Sequence, residues 1–131
     1  MEEMIYTLGT SNRKEEEFLR ILKDKGIKNI VDVRRFPTSQ FEHFRKENLE
    51  KILCKEGFKY FYLGNKLGGY RKGGYEKFME SEEFQQGIKK LEEIAREGPT
   101  VIICAERLFF RCHRRFIARA LENLGWKVVH L

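Results

Sequence analysis

Apolar residues recur along the chain first with the period of a strand and then with the period of a helix. Residues 4–8 form a short apolar run that favours a β-strand, and the polar cluster at 9–12 can turn the chain and cap a helix. Phe18 and Leu22 follow at helical spacing, with charged residues on the opposite side. The pattern predicts strand, turn and helix, with Gly26 ending the helix.

The same alternation continues to the last residue. Further strands are predicted at 30–33, 59–63, 100–104 and 127–131, and further helices at 48–56, 75–95 and 111–124. Asn48 is predicted to cap the first of these helices, and Ser81, with two glutamates after it, to interrupt the second. Five strands alternating with helices predict an α/β fold: one domain over residues 1–131, with a largely parallel five-stranded sheet flanked by helices.

Residues 64–74 are the longest segment without a periodic pattern, and they contain five glycines. Irregular segments of this length within a compact domain are usually functional or disordered, rather than simple connectors. Tyr70 and Arg71 are therefore predicted to contact a ligand, because loops carry binding residues disproportionately often. Tyr60 and Tyr62 alternate along a predicted strand, which favours a role in covering a face of the sheet.

The length of the chain, 131 residues, is enough to bury one hydrophobic core. No apolar run approaches the roughly 20 residues that span a bilayer, and the first residues lack a basic segment followed by an apolar one. We therefore expect a cytoplasmic protein without a membrane partner. Three cysteines, at 54, 104 and 112, are too few and odd in number for a disulfide framework, so we expect reduced thiols.

The chain carries 26 Lys and Arg against 20 Asp and Glu, a formal net charge of +6. This balance favours anionic partners, which include DNA, RNA and phosphorylated metabolites. The charged fraction of 35% exceeds the usual value of about 25%, and enrichment in Lys and Glu is also typical of thermophile proteins. A role in stability alone is therefore an alternative explanation for some of the basic side chains on the surface.

Polar or flexible residues follow four of the predicted strands, at 9–13, 32–39, 64–71 and 104–115. In open α/β sheets, ligands bind beyond the carboxyl ends of the strands. We expect the four segments to meet at one edge of the sheet and to form an anion-binding site.

Five short motifs within or beside these segments carry a family resemblance. They are Thr7-Leu8-Gly9-Thr10-Ser11-Asn12, Val31-Asp32-Val33-Arg34, Leu67-Gly68-Gly69, Cys104-Ala105-Glu106 and Cys112-His113-Arg114. In this order they resemble the domain of unknown function 488 (DUF488) family, and the resemblance runs nearly from end to end. It implies a shared fold and a shared site without specifying a reaction. The motif positions correspond here to Ser11, Asp32, Arg34, Gly68, Gly69, Cys104, Glu106, Cys112, His113 and Arg114.

Four basic residues crowd the predicted start of the last helix: Arg111, His113, Arg114 and Arg115. A positive side chain at the positive end of a helix dipole costs about 0.3–1 kcal/mol, and a bound anion would offset that cost. Backbone N–H groups at the same place add donors for a phosphate or a carboxylate. The alternative is that these arginines pair with acidic side chains of the protein itself.

Two carboxylates are candidates for chemistry, since Asp32 lies within an apolar strand and Glu106 follows another. Together they could act as general acid and base or hold a divalent metal, and the sequence requires no other cofactor. A buried structural bridge to an arginine explains Asp32 equally well. Glu106 is expected to face the site.

Cys112 lies at the predicted N-terminus of a helix beside His113, where a thiolate is stabilised and reactive. The alternative is that Cys112 packs in the interior as a small hydrophobic side chain. Arg111 follows Cys104 by seven positions, which does not match the shorter cysteine-to-arginine loop of phosphatases and sulfurtransferases. The irregular spacing of Cys104, Glu106, Cys112 and His113 likewise argues against structural zinc.

These residues support three hypotheses of function. The first is an enzyme that hydrolyses a nucleic acid or nucleotide, with Asp32 or Glu106 as general acid or base and His113 positioning the substrate. The second is a non-catalytic nucleic-acid-binding module, and the third is a thiol-dependent enzyme that uses Cys112. Substrate contacts are predicted for Ser11, Arg34, Gly68, Gly69, Tyr70, Arg71, Arg114 and Arg115. The sequence determines neither the substrate nor the oligomeric state.

Overall fold

The protein is described by a computed structural model, which covers residues 3–36, 39–69, 71, 73–108 and 112–131. Its centre is a parallel sheet with the strand order β3-β2-β4-β1-β5. The strands are β1 Met4–Gly9, β2 Asn29–Asp32, β3 Lys59–Tyr62, β4 Thr100–Cys104 and β5 Lys127–His130. The predicted α/β fold with a largely parallel five-stranded sheet is confirmed.

Six α-helices connect and cover the strands in the described part of the chain. They are α1 Glu15–Asp24, α2 Lys46–Lys55, α3 Gly64–Leu67, α4 Tyr75–Phe78, α5 Glu82–Glu97 and α6 Arg114–Asn123. A single 3₁₀ turn, Glu42–Phe44, precedes α2. None of the described helices is both long enough and apolar enough to cross a membrane.

The helices form two layers because successive side chains of a strand point to opposite faces of the sheet. In β4, Val101 and Ile103 pack with the buried residues of α1 and α2. Ile102 and Cys104 point the other way and pack with buried residues of α5 and α6. All five residues of β4 are buried, as expected for the central strand of a parallel sheet covered on both sides.

The order of the strands produces a crevice at their carboxyl ends. The connection that leaves β2 enters α2 on one face, whereas the connection that leaves the neighbouring β4 enters α6 on the other face. Such a reversal opens a gap between the two connections, and this is where ligands bind in open α/β sheets. The fold therefore places the segment after β4 at the edge of a crevice.

Two predicted helix caps are wrong. Asn48 lies inside α2, which begins at Lys46, and its side chain donates to the Glu42 carbonyl instead. The 9–12 cluster does not cap α1, whose N-cap position is occupied by Lys14 without a side-chain hydrogen bond. Three glutamates in the first turn of α1 stabilise its N-terminus through the helix dipole, so a capping side chain is not required.

The segment 64–74 is more regular than predicted, because its first four residues form α3. Gly64 is required at the start of that turn, since a Cβ atom there would lie 2.0 Å from the carbonyl oxygen of Arg34. Gly73 and Gly74 have φ angles of +84° and +92°, a backbone conformation that glycine adopts without strain. The glycines thus bring the chain close to the end of β2 and then turn it into α4.

Ser81 separates α4 from α5, as predicted. Its Oγ accepts a hydrogen bond from the backbone N–H of Phe84 at 3.1 Å, the standard geometry of an N-cap. We expect Ser81→Ala to lower the free energy of unfolding by about 1 kcal/mol, because the N–H of Phe84 loses its acceptor. Ser81→Asp keeps an acceptor and is the matched control. Urea denaturation of the three proteins measures both effects, and equal losses in the two variants would contradict the capping role.

Candidate active site

A cavity of about 840 Å³ lies at the carboxyl ends of β2 and β4. Seven of the residues predicted for the site line it: Arg34, Gly69, Arg71, Glu106, Cys112, His113 and Arg115. Asp32, Ser11, Gly68 and Arg114 lie outside its lining, and Tyr70 and Arg111 lie outside the described residues. The segments that follow β2, β3 and β4 therefore converge, whereas the segment after β1 contributes no lining residue.

A pair of thiols forms part of the cavity wall. Cys104 is the last residue of β4 and is buried, whereas the half-buried Cys112 lies two residues before α6. The two Sγ atoms are 2.6 Å apart, and the backbone N–H of Arg114 points to the Cys112 Sγ at 3.4 Å. The pair therefore combines a shielded sulfur with one that a reactant can reach.

His113 is held with one ring nitrogen directed at Cys112. Its Nε2 lies 2.9 Å from the carbonyl oxygen of Val33, which can only accept, so Nε2 carries a proton. Nδ1 is left facing the Cys112 Sγ at 3.7 Å. The ring of Tyr75 packs beside the imidazole at a centroid distance of 5.5 Å, and Gly69 lies against Nδ1. The imidazole is thus positioned to take the thiol proton of Cys112 or to stabilise its thiolate.

The surroundings of the two thiols shift their pKa values in opposite directions. The hydrogen bond with Cys104 lowers the pKa of Cys112 well below the usual range of a thiol, and His113 and the Arg114 N–H lower it further against the effect of burial. Burial raises the pKa of Cys104, as does its bond to Cys112, and the positive charge of Arg114 opposes that rise. These opposite shifts favour the thiolate form at Cys112 and the thiol form at Cys104, whose S–H can donate to the Cys112 sulfur.

Arg114 lies beneath the cavity rather than on its wall. Its side chain is buried and donates to the Thr7 Oγ1 at 3.1 Å and to the carbonyl oxygens of Glu106 and Arg107 at 2.7 and 3.1 Å. No carboxylate of the described chain lies within ion-pair distance of it, and its Nε has no hydrogen-bond partner there. This arginine was predicted to bind substrate, but its position makes it a buried cation that fastens the segment after β4 to β1.

Asp32 has a closed set of partners. It is fully buried, and its two oxygens accept four hydrogen bonds, from the backbone N–H, Nε and Nη2 of Arg34 and from the Tyr60 hydroxyl. Burial and the neighbouring Asp32 carboxylate raise the pKa of Tyr60, so this phenol stays protonated as a donor. The arrangement favours the structural interpretation of Asp32. Glu106 is exposed on the cavity wall, and its carboxylate accepts from the backbone N–H of Leu108.

The cavity is positively charged. Four arginines line it, and Glu106 is the one carboxylate among its described lining residues. Arg71 donates to the carbonyls of Gly68 and Asn65 and lies 4.0 Å from the ring centroid of Phe78, so it also secures the glycine segment. Arg35 and Arg115 lie on exposed positions of the wall. An anion that enters the cavity thus meets guanidinium groups and the start of α6.

Sequence reasoning missed several wall residues. Arg35 and Phe36 fall inside the predicted segment 32–39 but were not singled out, whereas Phe116 comes from a helix in which its own position carries no signal for a ligand site. Cys104 was recognised only as part of a motif. Across the described residues, no group of three or more His, Cys, Asp and Glu side chains is arranged to hold a metal ion.

The family comparison agrees with the motifs that border this cavity. The family model described as domain of unknown function DUF488 matches residues 14–121. The chain belongs to the DUF488 family. The matched region contains every described residue that lines the cavity of this DUF488 domain. No curated protein and no solved structure matches the chain.

The closed network around Asp32 predicts different effects for two neighbouring tyrosines of β3. The Tyr60 hydroxyl donates to the buried carboxylate at 2.6 Å, whereas the Tyr62 hydroxyl donates to the carbonyl of Arg35 at an exposed position. We expect Tyr60→Phe to lower the free energy of unfolding by about 1.5–3 kcal/mol and Tyr62→Phe by about 0.5–1.5 kcal/mol, because a hydrogen bond to a buried charge contributes more than one to a carbonyl. Denaturant titration measures both, and an equal or larger loss for Tyr62→Phe would refute the structural role.

Proposed function

We propose that the protein is a thiol-dependent enzyme that acts on an anionic substrate, with Cys112 as the nucleophile. The observation that carries the proposal is the position of the Cys112 Sγ on the wall of a cavity lined by arginines, in contact with Cys104 and facing His113. A thiolate is the reactive form of cysteine, and cations and helix N-termini stabilise it. Each of these features surrounds Cys112.

The residues around Cys112 divide the work of such a reaction. Arg35 and Arg115 would hold the anionic group of the substrate, whereas Arg34, paired with Asp32, and Arg71, paired with Glu83, would maintain the wall. The thiolate would attack the electrophilic atom of the substrate and form a covalent intermediate. His113 would hold the proton at Nδ1 and return it to the leaving group, since its Nε2 proton is committed to Val33.

This proposal places the thiol-dependent enzyme, the third hypothesis drawn from the sequence, ahead of the hydrolase. A hydrolase that relies on Asp32 as general base needs a free carboxylate oxygen, and both oxygens of Asp32 already accept hydrogen bonds from Arg34 and Tyr60. Glu106 remains exposed in the cavity and is available as an additional acid or base. The two thiols and His113 all line the cavity, whereas of the two carboxylates only Glu106 does.

The dependence of alkylation on pH tests the state of Cys112. An ordinary thiol, with a pKa of about 8.5, loses roughly a hundredfold in labelling rate between pH 8 and pH 6. Cys112 should lose less than about threefold with iodoacetamide, because its thiolate persists at pH 6. Peptide mass mapping follows Cys112 and the exposed Cys54 in the same sample, so that Cys54 serves as an internal reference. Parallel pH profiles at the two sites would sink the proposal.

The charge of the cavity is tested by changing the charge of the reagent. Iodoacetate is an anion and iodoacetamide is neutral, so the ratio of their rates reports the local potential. The ratio at Cys112 should exceed the ratio at Cys54 severalfold at low salt, and inorganic phosphate should slow both reagents at Cys112 alone. Equal ratios at the two cysteines would show that the cavity does not select anions.

The second candidate function has a nucleotide or a nucleic acid as the ligand, whose phosphate would be the anionic group held in the cavity. The observation that favours it is Phe36, which is 63% exposed on the cavity wall with the Arg35 guanidinium 5.5 Å from its ring centroid. Exposed aromatic rings beside arginines stack on unpaired bases, at about 1–3 kcal/mol per base.

Binding of a labelled single strand tests this candidate. Phe36→Ala should weaken binding about fivefold or more, because stacking on its ring is lost. Leu124→Ala removes a similarly exposed apolar side chain, 57% accessible and outside the cavity, and should leave binding unchanged. Fluorescence anisotropy at two salt concentrations measures both variants. Salt-sensitive binding that ignores Phe36 would assign the affinity to general surface charge instead.

A further inference from the structure

The contact between Cys104 and Cys112 carries an inference beyond nucleophilic attack. We propose that the two thiols form a reversible disulfide, with Cys104 as the resolving thiol of a two-electron dithiol centre that exchanges with small disulfides. The inference rests on the proposed reactivity of Cys112, since that residue must react first. The observation behind it is the 2.6 Å distance between the two Sγ atoms.

The geometry assigns a different part to each thiol. Cys112 is half-buried on the cavity wall, so an external disulfide can reach it, whereas Cys104 is 1% exposed. The backbone of Cys104 is fixed at the end of β4, where its carbonyl oxygen accepts from the Thr10 N–H at 2.7 Å and from the Thr10 Oγ1. A sulfur held in this position can attack Cys112 from within the protein and cannot itself be attacked first.

The exchange proceeds in two balanced steps. The Cys112 thiolate attacks one sulfur of the external disulfide, forms a mixed disulfide with it and expels the other sulfur as a thiolate. The Cys104 sulfur then attacks the Cys112 sulfur, the mixed disulfide breaks, and the second external sulfur leaves and takes up the proton of Cys104. The protein dithiol is oxidised by two electrons, and the external disulfide is reduced to two thiols.

Arg114 supplies the charge that the second step needs. When Cys112 enters a mixed disulfide it loses its negative charge, and the pair no longer holds a thiolate. The guanidinium remains buried beneath the cavity without a described carboxylate partner, and its charge acts on Cys104. Deprotonation of Cys104 at that moment restores a negative charge beside the buried cation. The cation thus favours resolution after Cys112 has reacted.

A dithiol of this kind makes the oxidised protein inert as a nucleophile. The disulfide occupies both sulfurs, so Cys112 cannot attack a substrate until a thiol reductant opens the bond. Oxidation and nucleophilic catalysis therefore exclude each other at the same pair of atoms.

Treatment of the full chain with glutathione disulfide, followed by acid quenching and non-reducing peptide mapping, tests the inference. The wild type should lose about two mass units and yield a peptide linked between Cys104 and Cys112. Cys104→Ser should instead accumulate a glutathione adduct at Cys112, because nothing resolves it. Cys54→Ser, altered at an exposed thiol of α2, should form the same link as the wild type. Circular dichroism establishes that each variant retains the fold.

The outcomes separate the two proposals. A stable glutathione adduct at Cys112 of the wild type, without a link to Cys104, would overturn the dithiol centre and leave the nucleophile in place. Absence of both the link and the adduct, in the wild type and in a folded Cys104→Ser variant, would overturn the reactivity of Cys112 itself. A link that involves Cys54 in place of Cys104 would also refute the inference.

Discussion

The buried guanidinium of Arg114 is the constraint on which the site depends. It ties the carbonyls of Glu106 and Arg107 to Thr7 of β1, so the segment after β4 and the start of α6 are held over the sheet by one side chain. Burying a charge costs several kcal/mol unless an opposite charge compensates it, and no described carboxylate does so here. Its positive charge opposes the rise in the pKa of Cys104, so the structural anchor also favours a negative charge on the thiol pair.

The charge of a second buried arginine, at the same edge of the sheet, is compensated in a different way. Arg34 is also buried, yet Asp32 neutralises it with two hydrogen bonds between their side chains, and Tyr60 fills the remaining site of that carboxylate. That network is satisfied internally and has no capacity left for chemistry. Arg34 is thus neutralised by a carboxylate and belongs to the scaffold of the site. Arg114 has no described carboxylate partner and lies beside the thiol pair.

The sequence predicted the strands and helices well because each has a clear period. It also predicted that the segments after β1, β2, β3 and β4 would meet, because the carboxyl ends of parallel strands share an edge, but the segment after β1 contributes no residue to the cavity lining. Local chemistry predicted caps less well: Asn48 lies inside α2, and its side chain donates to the Glu42 carbonyl in the preceding 3₁₀ turn. The role of Asp32 could not be decided, since a carboxylate in an apolar strand fits both a base and a bridge. The contact of Cys104 with Cys112 could not be foreseen either, because the two cysteines are eight positions apart and no local periodicity relates them.

The proposed function links anion binding to thiol reactivity through the charge of the cavity. The arginines on the wall would attract an anion, and a thiolate at Cys112 would itself be an anion within the same field. A bound phosphate or carboxylate would screen that field and favour protonation of the thiol, so a ligand that only binds would quiet the nucleophile. Under the proposed function, a substrate would escape this competition if its charged group bound Arg35 or Arg115 at the rim while its electrophilic atom reached the sulfur. The cavity would thus favour substrates in which the charged group and the reactive atom are separated, and molecules in which the two coincide would bind without reacting.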